Sequence, residues 1–185
     1  MVESDINVAY YTTENTVKSL IKQMDSLSLS SLDHFLLDQL RIYPLKISKS
    51  TNNTESFFHY LKEHFRTLPE DFQLIIVDSI TLLVAHADPV VNIDFFSACK
   101  EFCDEGRTIL MVAHSYAFDE VVLSRTRSLC DAHLRLKLEQ VGDRLMKIME
   151  VLKVQGADRA TGDVVSFEVE PGWGMRVIPM NKVQG

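Results

Sequence analysis

Asp78 and Ser79 follow four consecutive aliphatic residues, Leu74-Ile75-Ile76-Val77, and Glu14 follows the β-favouring stretch 6–12. A carboxylate fixed at the end of an apolar strand suits a hard cation such as magnesium, taken directly or through water. A glutamate one strand over can polarise a water for attack on a terminal phosphate. His114, with Ser115, closes a third apolar run, 108–113. Open parallel sheets bind ligands at the carboxyl ends of their strands, so all three positions have the right address. Each also has a plainer reading. An aspartate after a strand often caps the next helix, a glutamate before a helix is often only solvated, and a strand-end histidine is more often just hydrogen-bonded. Cys99 and Cys103 stand one helical turn apart without a second pair or a suitably spaced histidine, so they read as buried thiols.

The elements that must position these residues alternate. Residues 6–12 read as a strand, and Asn15 and Thr16 can cap a helix carrying Val17, Leu20, Ile21 and Met24. A short apolar helix follows at 32–40, then a brief strand at 41–44 closed by Pro44. Residues 48–54 read as a loop. Phe57, Phe58, Leu61, Phe65 and Leu68 share one helical face, ended by Pro69. The 74–77 run lacks polar alternation and fits a parallel strand buried on both faces. A helix at 90–105 ends at Gly106, a second continuous apolar strand spans 108–113, and another helix spans 118–128. This order predicts an α/β protein with a parallel central sheet flanked by helices. Beyond Ser128 the pattern becomes strand-rich: 132–140 and 144–154 form a hairpin around Val141-Gly142-Asp143. A second pair, 164–169 and 175–178, flanks Pro171-Gly172-Trp173-Gly174 after a polar 156–162 loop. The tail is therefore an antiparallel C-terminal extension of the sheet. With no repeat or low-complexity linker, residues 1–185 read as a single domain.

Composition removes several function classes. The 185 residues are 46% hydrophobic and 24% charged, a globular balance that needs no disulfide staples. A net charge of −7 repels phosphate backbones and anionic membranes, which argues against nucleic acid as a partner. Three cysteines and an acidic opening, Met1 to Asp5, fit a reducing cytoplasmic setting. The apolar run 74–87 is too short for a membrane span, so no direct insertion is expected. Only seven glycines occur, the first at Gly106, and neither G-x-x-x-x-G-K-S/T nor G-x-G-x-x-G is present. A phosphate cradle built on crowded backbone amides is thus absent from the front half of this sequence.

Four segments in order carry a resemblance: Tyr10-Tyr11-Thr12-Thr13-Glu14; Leu74 to Ile80; Thr108 to His114; and Lys153-Val154-Gln155-Gly156 followed by Phe167 to Val177. Together they resemble the RecA-like, KaiC-type ATPases, and within them the accessory ATP-binding branch of the archaeal flagellum, or archaellum. The resemblance implies that Asp78 is the Walker B carboxylate for magnesium, supported by Ser79. It also implies that Glu14 orients the hydrolytic water and that His114 occupies the strand-end sensor position. In such rings a Lys-x-Arg-Gly segment reaches the neighbouring subunit's nucleotide. Lys153 fills its first place, and Gln155 stands where the arginine would be. A neutral amide there favours slow turnover, since arginine fingers contribute about 10³ to 10⁵ in rate. The implied cofactors are ATP and Mg2+. The implied partners are the archaellum motor ATPase and membrane platform proteins, with a hexameric ring as the homo-oligomer and membrane association through those partners.

The family's first strand, its phosphate loop and its first helix have no counterpart here. Truncation at the N-terminus explains this better than decay, because Glu14 and Asp78 have no task without a phosphate cradle. The alternative is a noncatalytic RecA-fold scaffold or interaction module. In either case the 185-residue chain alone should bind magnesium ATP very weakly, and calorimetry giving sub-micromolar affinity would contradict that.

Overall fold

The computed structural model describes residues 6–29, 31–46, 54–141, 143–156, 164–171 and 174–178. Most of the 48–54 and 156–162 loops, together with Gly142, Gly172 and Trp173, lies outside them. The chain forms two compact units, Met1–Asp25 with Ser30–Leu129, and Ser26–Leu29 with Cys130–Gly185.

In the first unit, β1 (Val8–Thr12), β2 (Leu40–Pro44), β3 (Leu74–Asp78) and β4 (Thr108–Val112) form a parallel sheet in the order β2-β1-β3-β4. Side chains alternate across a strand, so each face takes every second residue. Ala9, Tyr11, Ile75 and Val77 point to one face. There they pack with Phe58, Leu61 and Phe65 of α3 (Thr54–Thr67), Leu83 and Val84 of α4 (Thr81–His86), and Phe95, Phe96, Cys99 and Phe102 of α5 (Pro89–Asp104). Val8, Leu40, Ile42 and Leu74 point to the other face, where they pack with Leu20 of α1 (Val17–Ser26) and, more loosely, Phe35 of α2 (Leu32–Leu36). Helices therefore cover both faces of the central strands, which is why 74–77 has no polar alternation. Burying one large apolar side chain contributes roughly 1.5–3 kcal/mol, so the aromatic face of α3 and α5 dominates this core.

The ends of the helices follow from their residues. Thr16 Oγ1 accepts the Ser19 N–H at 3.2 Å while Ser19 Oγ accepts the Thr16 N–H at 2.8 Å, a reciprocal cap at the start of α1. Asp88 accepts the Val90 N–H before Pro89 opens α5. Gly106, at φ +97°, ends α5 in a conformation that favours glycine.

Three segments differ from the sequence reading. The 32–40 helix stops at Leu36, and its last residue already belongs to β2. A short 3-10 turn, Ser115–Ala117, precedes the last helix of the unit, α6 (Glu120–Leu129). The helix α4 was not anticipated, because its apolar residues continue the β3 run and hide the change of period. In β4, Ile109 and Met111 pack on the aromatic core, whereas Leu110 and Val112 are 47% and 41% exposed. A continuous apolar run there does not mean burial on both faces.

The second unit holds β5 (Ala132–Val141), β6 (Arg144–Val154), β7 (Val164–Glu170) and β8 (Gly174–Ile178). They pair antiparallel in chain order and form a sheet of their own instead of extending the parallel one, because each described strand bonds only to its hairpin neighbours. On one face Glu150 pairs with both Arg135 and Lys137 across β5 and β6, and Arg176 of β8 pairs with Glu168 and Glu170 of β7. Opposite charges placed across neighbouring strands help hold this register.

Under the first sheet, Tyr11 stacks on Tyr43 and its hydroxyl lies 2.6 Å from His64 Nδ1. Burial, and then the Arg41 charge, hold His64 below the ordinary histidine range. A depressed folded-state value makes neutral His64 a stabilising group above its unfolded value, and that contribution is lost as pH falls through the folded one. Urea unfolding at about pH 8 and about pH 5, on either side of the ordinary histidine value, should show a larger acid loss for the wild type than for His64→Gln. Equal losses would contradict this.

Candidate functional site

Thr12 and Asp78 are register partners in β1 and β3, so the residues that follow them leave the sheet side by side. The Thr13 N–H donates to the Asp78 carbonyl at 3.0 Å. Thr13 Oγ1 donates to the Ser79 carbonyl at 3.1 Å and accepts the Ser79 N–H at 3.2 Å. Ser79 Oγ in turn donates to Glu14 Oε1 at 3.1 Å. Below them, Thr12 Oγ1 accepts the N–H groups of Glu14 and Asn15 at 3.2 and 3.0 Å, a local turn that competes with extending the strand. The Asp78–Ser79 peptide is cis. Thr12 and Ser79 are buried, while the Glu14 side chain is exposed. A partly buried knot thus presents a carboxylate to solvent.

Asp78 is half-buried, and its Oδ2 accepts the Tyr10 O–H at 2.6 Å. Tyr10 lies two residues before Thr12 on the same face, which brings its phenol diagonally to Asp78. Burial first, then the hydrogen bond and charge of Asp78, then the charge of Glu14, push the phenol well above its usual range. Tyr10 is accordingly a donor at every physiological pH. The helix-capping alternative for Asp78 finds no support: Ile80 occupies the cap of α4, and no side chain bonds there.

His114 lies two residues beyond Val112, the register partner of Asp78, at the same end of the sheet. Its N–H donates to Thr81 Oγ1 at 3.1 Å, and its exposed ring stacks on Tyr116 with centroids 5.3 Å apart. Lys153 and Gln155 belong to the second unit: Lys153 faces His133 across the β5–β6 pair, and the Gln155 N–H donates to the Asp131 carbonyl at 2.7 Å. The first unit therefore unites Glu14, Asp78 and Ser79. Among the described residues no group of three His, Cys, Asp or Glu side chains is arranged to hold a metal on its own. Cys99, Cys103 and Cys130 form no disulfide.

A family profile described as the KaiC ATPase matches residues 1–182. The chain belongs to the KaiC ATPase family. Among curated relatives of this KaiC-family chain is the archaeal flagellar ATP-binding protein FlaH of Sulfolobus acidocaldarius. It is 30% identical over 173 residues, covering 92% of this chain and 75% of the relative. The FlaH protein of Methanocaldococcus jannaschii is 27% identical over 177 residues, covering 95% and 76%. The crystal structure of flagellar accessory protein FlaH from M. jannaschii superposes with a TM-score of 0.78 at 26% identity, over 96% of this chain and 79% of that one. A KaiC-like protein from Pyrococcus horikoshii, with a TM-score of 0.71 at 16% identity over 96% and 78%, shares the fold. The KaiC-family chain thus has the RecA-like α/β architecture that its four segments implied.

Sequence reasoning placed the carboxylates of this KaiC-family chain and passed over the groups that hold them. Thr12, Thr13 and Tyr10 sit in the quoted Tyr-Tyr-Thr-Thr-Glu stretch, where two adjacent threonines before a glutamate were the available signal. Replacing Thr12 by the isosteric valine leaves two amide donors unpaired. It should destabilise the chain by about 1–3 kcal/mol and speed hydrogen exchange at Glu14 and Asn15. Unchanged exchange at those two amides would refute the role of Thr12.

Proposed function

We propose that this KaiC-family chain is an ATP-binding regulatory and assembly protein of the archaeal flagellum motor, turning ATP over slowly or not at all. The observation that carries this reading is the knot at the carboxyl ends of β1 and β3, which sets Glu14 and Asp78 on neighbouring strands with Ser79 between them. The names of the FlaH relatives support the flagellar assignment.

The donor set fits magnesium, since a half-buried carboxylate beside a buried serine hydroxyl supplies hard oxygens. Asp78 would hold the ion, which when bound neutralises charge on the nucleotide phosphates. Glu14, exposed and tethered through Ser79, would orient a water toward the terminal phosphate. His114 would sense that phosphate from the end of β4. The backbone amides that cradle phosphates are not among the residues of this sequence, so these groups supply the metal and water side of the site. In a hexameric ring, Lys153 and Gln155 would face a neighbour's nucleotide, and the uncharged Gln155 favours a switch over a fast motor. The motor ATPase and the membrane platform would be its partners. Among the described residues no helix is long and apolar enough to cross a membrane, so membrane association on the cytoplasmic side would run through those partners.

Calorimetry and turnover measurements on the full-length gene product separate the two carboxylates. Asp78→Asn should weaken magnesium-dependent ATP binding at least about tenfold, as loss of a metal-site group does. Glu14→Gln should leave affinity within about threefold and slow any turnover about 100-fold. Equal loss of binding in both variants would refute the division of roles. Absence of magnesium-dependent ATP binding in the wild type would leave a RecA-fold scaffold instead.

A further inference from the structure

Tyr10 has no part in the water-orienting and metal-holding roles described so far, yet its hydroxyl donates to the Asp78 carboxylate. Its ring is held independently of that bond. It packs in the second apolar cluster, against the face formed by Val8, Leu40, Ile42, Leu74 and Leu20 of α1. The strand register then decides where the hydroxyl goes: Tyr10 is opposite Ile76 and Thr12 is opposite Asp78, so the phenol crosses diagonally by one pleat to reach the carboxylate. At 2.6 Å this has the length of an O–H donor on an ionic acceptor, the stronger kind of hydrogen bond.

An aspartate carboxyl turns in a broad, roughly two-fold well, so its plane must be set by whatever it bonds to. In a buried hydroxyl-poor setting either oxygen could swing toward a cation. Here the phenol occupies Oδ2, which orients Oδ1 as the oxygen left for a metal or its water. We propose that Tyr10 is a positioning residue for Asp78, fixing the plane of its carboxylate so that Oδ1 receives the magnesium that accompanies the nucleotide. The inference rests on the magnesium–ATP reading of the site, and it adds a group from β1 that acts through Asp78 without touching the ligand. The raised ionisation of the phenol, with burial as its first cause and Asp78 next, agrees with a donor that stays protonated.

The test uses Tyr10→Phe in the full-length gene product, a change that removes the hydroxyl and keeps the packed ring. The readout is the magnesium concentration that gives half of the metal-dependent gain in ATP affinity, set against the affinity without metal and the melting temperature. The expected result is a rise of about tenfold in the magnesium requirement, the usual effect of losing a partner of a metal ligand. Metal-free affinity should stay within about twofold. An unchanged magnesium requirement in Tyr10→Phe overturns the inference while leaving the ATP reading intact.

A second arm needs no nucleotide and no change at Tyr10. With tyrosine labelled at 13Cζ, the Tyr10 resonance at neutral pH should differ between the wild type and Asp78→Asn, because the acceptor of its 2.6 Å hydrogen bond changes from a carboxylate to an amide. A Tyr10 resonance indifferent to Asp78→Asn overturns the hydrogen bond and the inference with it. If the wild type shows no magnesium-dependent ATP binding, the ATP reading fails and the magnesium role of Tyr10 falls too; a Tyr10 resonance that still responds to Asp78→Asn identifies that failure as one of function and not of geometry.

Discussion

The pairing of Thr12 with Asp78 across two parallel strands is the constraint on which the rest of the site depends. Because side chains alternate, this one register choice decides which residues share a face. It sends Tyr11, Ala9, Ile75 and Val77 into the aromatic core and leaves Tyr10, Thr12 and Asp78 on the side of α1. A slip by one residue would invert both sets. It would carry two large aromatic rings to the wrong faces and break every bond among Thr13, Ser79 and Glu14. The core and the polar knot are therefore satisfied by the same alignment, and the apolar packing that stabilises the sheet also specifies the site.

The knot is mostly backbone and small hydroxyl groups. Thr13 and Ser79 join two strand ends and Thr12 closes the turn after β1, through bonds of 3.0 to 3.2 Å, and the acidic groups are attached at the margins. This division suits a site that must hold charge in place without burying it. Glu14 stays exposed and Asp78 half-buried, so neither incurs the full desolvation cost of a buried ion.

The sequence offers Asp78 as a candidate because it ends the aliphatic run 74–77 and Glu14 because it follows the β-favouring stretch 6–12, each with a plainer reading beside it. The parallel sheet, the aromatic face of α3 and the C-terminal hairpin were legible because each has an unmixed period. What stayed hidden lacked such contrast. The helix α4 merges with the β3 run, since Thr81 to Val84 continue its apolar character. Leu110 and Val112 belong to an apolar stretch, and only the sheet order shows that their face of β4 is open. The tether of Tyr10 to Asp78 joins residues 68 positions apart, a relation that no local spacing encodes.

That separation bears on how the molecule comes to be ordered. The hairpin of β5 and β6 closes between near neighbours, Val141 and Arg144. The Glu14–Ser79 link closes a stretch of 65 residues, which includes β2 and the whole of α3. The chain entropy lost in such a closure grows slowly with length, but it must be met before any of the long-range contacts can compensate. By this reasoning the second unit's hairpin can zip early, whereas the acidic groups come together only once β1 has found β3 across the intervening helices. A partly folded chain would then hold much of its secondary structure and none of the cluster that joins Glu14, Ser79 and Asp78.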